Sequence, residues 1–242
     1  MFINSVVMFL LAKFHIILNL NGTVINLKDN GLYYENSRYV YKGSSPNNYI
    51  LFNEELWRIV YIDSDSIKIM KNDSIGELVF DESNNIWHSS SLRQYLNNDY
   101  YNSLDTHDYI VSHKFDTMVY SGQSLEDMQD DTKGNSMVSN IGLISLKDFL
   151  LANENSKCNS AESYIQNSFC KETNYINKII GGDTAWSITS DDASDNLVVS
   201  LGNYYFGDSL SMYELSVYPS LYLSKNIKFG GNGTMSSPYY IK

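Results

Sequence analysis

Glu55-Leu56-Trp57-Arg58-Ile59-Val60-Tyr61-Ile62 leads through Asp63-Ser64-Asp65 into Ser66-Ile67-Lys68-Ile69-Met70. Aromatic and β-branched residues fill both arms, and polar turn residues fill the gap. This spacing predicts a β-hairpin with alternating sides. Upstream, Gly43-Ser44-Ser45-Pro46-Asn47-Asn48 reads as a turn before the strand-like Tyr49-Ile50-Leu51-Phe52. Residues 23–80 therefore form a β-rich region.

Downstream the pattern changes. Ser89, Ser90 and Ser91 offer N-caps, with Leu92, Tyr95, Leu96 and Tyr100 on one face at helical spacing. Asp105-Thr106 is read as the cap of a second short helix through Tyr109, Ile110 and Val111. Residues 121–140, carrying Glu126, Asp127, Asp130 and Asp131, read as a long surface loop. Gly142-Leu143-Ile144 is strand-like. It runs into Ser145-x-x-Asp148, a capping-box start for a short helix holding Phe149, Leu150 and Leu151. From Thr184 onward strands and tight turns return, as in Asn196–Leu201 and Pro219–Leu223. Strands, helices and strands follow one another without regular βαβ alternation. The expected class is α+β, mostly antiparallel, with a few short helices and long irregular loops. Residues 23–242 read as a single domain without repeats or a linker.

Composition narrows the function. The 242 residues carry 17 basic and 28 acidic side chains, a formal charge of −11. Nucleic acid needs a basic footprint, so it is a poor partner. With 43% hydrophobic residues the chain is not disordered. Two Cys cannot build a disulfide-dense miniprotein or a four-Cys zinc site. Asn (27) and Ser (33) make about a quarter of the chain and are read as marking irregular loops.

The segment 2–20 is apolar but interrupted by Lys13 and His15. Its membrane insertion is near break-even on a biological scale. No Lys or Arg precedes the apolar run and no A-x-A-like site follows it. Residues 1–22 are read as a degenerate export signal or membrane anchor. The alternatives are an N-terminal element of the folded domain and a misassigned start.

Several motifs recur together in order: Glu55-Leu56-Trp57-Arg58-Ile59 after Pro46-Asn47-Asn48-Tyr49; Ser91-Leu92-Arg93-Gln94-Tyr95-Leu96-Asn97 with Tyr100-Tyr101; Gly142-Leu143-Ile144-Ser145; and Trp186-Ser187. The end reads Tyr218-Pro219-Ser220-Leu221-Tyr222-Leu223, then Gly230-Gly231-Asn232-Gly233-Thr234 and Ser237-Pro238-Tyr239. Over about residues 35–242 this set resembles an uncharacterised family of surface-type domains from low-GC Gram-positive bacteria. That family ends in Arg-Pro-Ala-Leu-Tyr-Leu and Gly-Gly-x-Gly-Thr. More distantly the layout is similar to C-type lectin-like domains and the formylglycine-generating enzyme. The resemblance implies an α+β domain whose loops form a binding face. Tyr218 replaces the family's Arg, which removes a buried Arg expected to bridge loops. No Cys follows Cys170, so formylglycine chemistry is not carried over.

Candidate chemistry follows. Cys158 and Cys170 enclose a polar segment; in an exported domain a disulfide closing it is worth about 3 kcal/mol, and two reduced thiols in a cytosolic protein are the alternative. Cys pairs in this region of the resembled family support the disulfide. The histidines His15, His88, His107 and His113 show no metal-ligand spacing, so no metal and no cofactor are expected. No Gly-x-Ser-x-Gly elbow is present. Asp191 and Asp192, with Asp183 and Asp195 nearby, offer oxygens for Ca²⁺, but a solvated loop is the plainer reading. Gly230-Gly231-Asn232-Gly233 reads as a hairpin turn. The ligand-binding candidates are Trp186, Asp191, Asp192, Tyr204, Tyr205 and Tyr213, aromatics and acids suited to an adaptable surface. Trp186 also suits a core position. The expectation is a non-enzymatic extracellular or cell-surface domain that binds a glycan or a surface protein, with anchoring through residues 2–20. A structural subunit of a pilus or adhesin stalk is the alternative. An enzyme related to the formylglycine-generating fold ranks last.

Overall fold

The Glu55–Ile62 and Ser66–Lys71 strands pair antiparallel and form the centre of the larger sheet in a computed structural model of the protein. It describes residues 17–20, 22–27, 30–125, 127–128, 137–202 and 207–242. Next to Ser66–Lys71 lies Ser220–Ser224, antiparallel, and beyond it Ile141–Gly142. On the other flank come Tyr49–Phe52, antiparallel, then Tyr239–Ile241, parallel, then Phe229–Gly230. Arg38–Tyr41 joins the far end of Glu55–Ile62 and carries Leu32–Glu35 as its hairpin partner.

The hairpin departs from simple alternation in two ways. Nearly every residue of both arms is buried, because structure covers both faces. A β-bulge also falls between Ile59 and Tyr61: Ile59 opposes Ile69, while Tyr61 opposes Lys68. Val60 is the extra residue. Opposed residues share a face, as do residues two apart. Trp57, Ile59, Ile62, Ile67, Ile69 and Leu221 thus share one face, apolar but for Lys71 opposite Trp57. Arg58, Met70, Lys68, Tyr61 and Tyr222 share the other. Without the bulge Arg58 and Tyr61, three residues apart, would point to opposite sides.

The second sheet runs Gly207–Leu210, Leu197–Gly202, Thr184–Asp191, Glu214–Ser216, Glu77–Val79, with Val119–Tyr120 also paired to Thr184–Asp191. Most pairings in both sheets are antiparallel, and the helices are short, so the class is α+β. One buried cluster extends from Leu18 to Tyr239.

Local predictions meet the structure unevenly. Ser90 caps the Ser91–Tyr95 helix through the Arg93 amide at 3.1 Å. The chain then widens into a π turn over Leu96–Tyr100; Leu92, Leu96 and Tyr100 are buried, but Tyr95 faces out. The helix expected after Asp105 is absent: Val111 donates its N–H to Tyr222 O at 2.9 Å, and Ile110 bridges to Leu223. Its β-branched residues extend the sheet edge instead. The expected 121–140 loop is shorter, since Met137–Ser139 pairs with His113–Phe115; Glu126, Asp130 and Asp131 lie outside the described residues. The Phe229–Gly230 hairpin with Tyr239–Ile241 matches the turn reading of the glycines. Gly231, at φ 77°, has the Pro238 carbonyl where a Cβ would sit, so a side chain there clashes.

Residues 1–16 lie outside the described residues, and with them most of the anchor candidate. Ile17–Leu20 is a strand paired with Thr23–Asn26, and Leu18 and Leu20 are buried. The folded part therefore begins before residue 23.

Candidate functional site: a cleft over a buried ion pair

Lys68 sits mid-strand among isoleucines, where the pleat turns it to the polar face. Its partner comes from the Leu146–Leu151 helix. Ser145 Oγ accepts the Asp148 N–H at 3.1 Å, and the Ser145 N–H donates to Asp148 Oδ2 at 2.9 Å. This capping box fixes the carboxylate in the first turn. Lys68 Nζ donates to the same Oδ2 at 2.7 Å, and both side chains are almost fully buried. Burial pulls the Lys68 ammonium down, but Asp148, with Tyr222 and Asp116, more than offsets it and the net shift is upward. Burial pushes Asp148 up, yet Lys68 and the Ser145 N–H hold it below its ordinary value. The pair is therefore charged across the neutral range. A lysine held this firmly as an ammonium is suited to carry charge, not to act as an amine nucleophile, which needs a lowered value.

Above the pair lies a cleft of about 220 Å³. Tyr61 and Tyr222 join hydroxyls at 2.8 Å. His113 stacks on Tyr222 with centroids 3.8 Å apart, and Arg38 lies 4.5 Å over Tyr61. Lys114 and Lys147 stand at the lining with Asp63 and Asp116. The walls are thus aromatic and the rim is charged in both signs, a common make-up for binding polar ligands.

Asp63, Asp65 and His113 bring one ligand atom each within 4.8 Å of one another. Spacing along the chain showed no such group, because the hairpin turn and a distant strand meet only in the fold. His113 Nδ1 lies 2.9 Å from Lys114 O. Lys225 Nζ donates to the Asp63 carbonyl at 2.8 Å, and this cation beside the turn opposes a metal ion there.

The expected ligand residues are placed elsewhere. Trp186 is a correction: it is 2% exposed, donates its indole N–H to Leu78 O at 2.8 Å and packs edge-on against Phe80. Its ring belongs to the core and is tied to the Glu77–Val79 strand of the same sheet. Asp191 is buried and accepts the Ala193 N–H at 2.7 Å. Asp192 is exposed, with its N–H on Tyr120 O. Tyr213 is 53% exposed in a turn. Tyr204 and Tyr205 lie outside the described residues. Trp186, Asp191, Asp192 and Tyr213 line neither the Lys68 cleft nor a second one, of about 280 Å³, at Tyr120, Glu162, Ile165 and Asp208.

Asp208 in that second cleft is pushed up to about 6 by burial and by the neighbouring Asp191 carboxylate. A raised carboxyl disfavours the folded state once it ionises, so stability falls as pH rises from about 4 to 6. Asp208→Asn is expected to stabilise by about 1 kcal/mol at pH 7, discounted for solvent exposure, and to change little at pH 4. Urea unfolding at the two pH values checks this; equal effects at both would contradict it.

Cys158 and Cys170 are disulfide-bonded, with Cα atoms 5.6 Å apart, as the loop reading expects. A family model described as "Domain of unknown function (DUF6273)" matches residues 64–206, more than half of the chain. That span includes Lys68, His113, Asp148 and both cysteines, and leaves out Tyr61 and Tyr222. No curated protein and no solved structure matches the chain.

Proposed function

Because the chain belongs to the family described as a domain of unknown function (DUF6273), we propose a role from its own geometry: a non-enzymatic, extracellular binding domain of a bacterial surface, with the Lys68 cleft as its ligand site. The observation that carries this is the aromatic-walled cleft over a buried Lys68–Asp148 pair that is charged across the neutral range. Such a floor is preorganised: its hydrogen bonds are fixed before any ligand arrives. Flat rings beside hydroxyls and charges suit the C–H faces and hydroxyls of a sugar, so a glycan is the ligand class the cleft supports best. The Cys158–Cys170 disulfide supports an oxidising location. We read the mixed sheets, short helices and irregular segments as a C-type lectin-like variation.

A glycan array with the wild-type chain and His113→Ala tests the reading. His113→Ala removes a ring from the wall without breaking the ion pair. Saturable binding to a glycan, weakened about tenfold or more in the variant, is expected. No glycan signal together with concentration-dependent self-association would instead favour a subunit of a surface assembly. Cell fractionation checks the location, and a purely cytosolic protein would remove the premise.

A further inference from the structure

Arg58 stands on the polar face of the central hairpin, away from the Lys68 cleft, and is 4% exposed. Its Nε donates to Asn48 Oδ1 at 2.7 Å. Its Nη2 donates to the same oxygen and reaches Pro46 O at 3.4 Å. The Tyr49 ring lies 3.7 Å from the guanidinium carbon and the Tyr175 ring 5.0 Å. All of these acceptors are neutral. Among the described residues no carboxylate lies within ion-pair distance of Arg58, and Nη1 has no hydrogen-bond acceptor. Lys68, on the same face, has Asp148; Lys71 has Glu55 at 2.6 Å. Arg58 is thus a buried cation with no carboxylate at ion-pair distance among the described residues. A buried charge without a counter-ion is strongly unfavourable, and that cost falls when an anion arrives from outside.

An entry route exists. Arg58 lines a cleft of about 420 Å³ together with Ser44, Ser45, Asn72, Tyr175 and Lys178. Two serines, an asparagine and a second basic residue therefore border the same space. Asp73 also lines it, and its negative charge is unfavourable to a dianion. Asn48 occupies the Nε and Nη2 edge of the guanidinium, so an incoming anion meets Nη1. One free nitrogen, one lysine and neighbouring hydroxyls match a singly charged group on a small polar body.

We propose that this cleft is a binding site for a small carboxylate, held by Arg58 Nη1 and Lys178, with the body of the ligand against Tyr49, Tyr175 and the Ser44–Ser45 turn. The site is separate from the Lys68 cleft and stands or falls independently of it.

Titration of the full chain by NMR, with glucuronate as the probe, tests the proposal. Glucose serves as the neutral control and inorganic phosphate as the alternative anion. Glucuronate is expected to bind saturably and to shift the Arg58 side-chain resonances, while glucose does not. Lys178→Gln, a surface change on the short Tyr175–Ile180 helix, is expected to weaken binding about tenfold without changing thermal stability. Arg58→Lys is expected to abolish it; should that variant not fold, Lys178→Gln alone decides. Equal binding of glucose, unchanged affinity in Lys178→Gln, or no saturation by glucuronate would each overturn the assignment. Preferential binding of phosphate would overturn the carboxylate class.

Discussion

Replacing Asp148 by Asn is expected to lower the free energy of unfolding by about 3–5 kcal/mol, because it leaves the Lys68 ammonium buried without its counter-charge. The readout is a lower urea midpoint with an unchanged slope. Lys68→Met alone is expected to act similarly, by stranding the carboxylate. The double variant Lys68→Met/Asp148→Leu should recover most of the loss, since a buried pair exchanged for apolar groups is often neutral. The pH dependence carries a sign. Asp148, held below its unfolded value of about 3.9, contributes fully above that pH and loses its contribution as pH falls through the lower folded value. Lys68, raised above its unfolded value of about 10.4, contributes fully below that pH and loses its contribution as pH rises through the folded value. The gap between wild type and Asp148→Asn should therefore be flat through neutrality and close at both extremes. A loss under about 1 kcal/mol at pH 7 would show that the pair does not hold the helix to the sheet.

The second large effect concerns the disulfide. Cys158→Ser/Cys170→Ser is expected to lose about 3 kcal/mol in the chain-entropy account, for a bridge spanning 12 residues. Both sulfurs are buried, and Cys170 O accepts the Asn153 Nδ2 hydrogen bond at 2.6 Å. Opening the bridge therefore also loosens the hydrogen bond that ties Asn153 to the Ser168–Glu172 helix. Intact mass with and without reductant, followed by urea unfolding of the double variant, reads both parts. Two free thiols in protein purified under oxidising conditions would remove the prediction.

Local chemistry was legible in the sequence and distant chemistry was not. The hairpin, the Ser90 cap, the Ser145–Asp148 capping box and the Cys158–Cys170 loop each depend on neighbours a few residues apart. The ion pair joins residues 80 apart, and the Tyr61–Tyr222 hydroxyl contact spans 161. No spacing rule reaches that far. A signal for Lys68 did exist: a lone cation among isoleucines in a strand needs a partner. Arg58 is another buried cation of the hairpin, and its partners Asn48 and Pro46 sit in the turn ten and twelve residues before it. The Asn and Ser content was only half read. Asn48, Asn153 and Asn174 are buried, and their amides donate to the backbone carbonyls of Ile59, Cys170 and Phe149. Ser187 and Ser200 do the same inside the second sheet, on Val199 and Gly207. These residues close irregular backbone from within, a task that composition cannot distinguish from exposed loops.

Val60 gives the central strand a reading frame. Counting sides forward from Trp57 and backward from Ile62 gives answers that differ by one, and both are correct on their own stretch. The strand is two short phases spliced at a single residue. Its inner phase presents Arg58 to one cleft and its outer phase presents Tyr61 to another. One inserted amino acid thus lets a single ribbon serve two chemically different pockets from the same side.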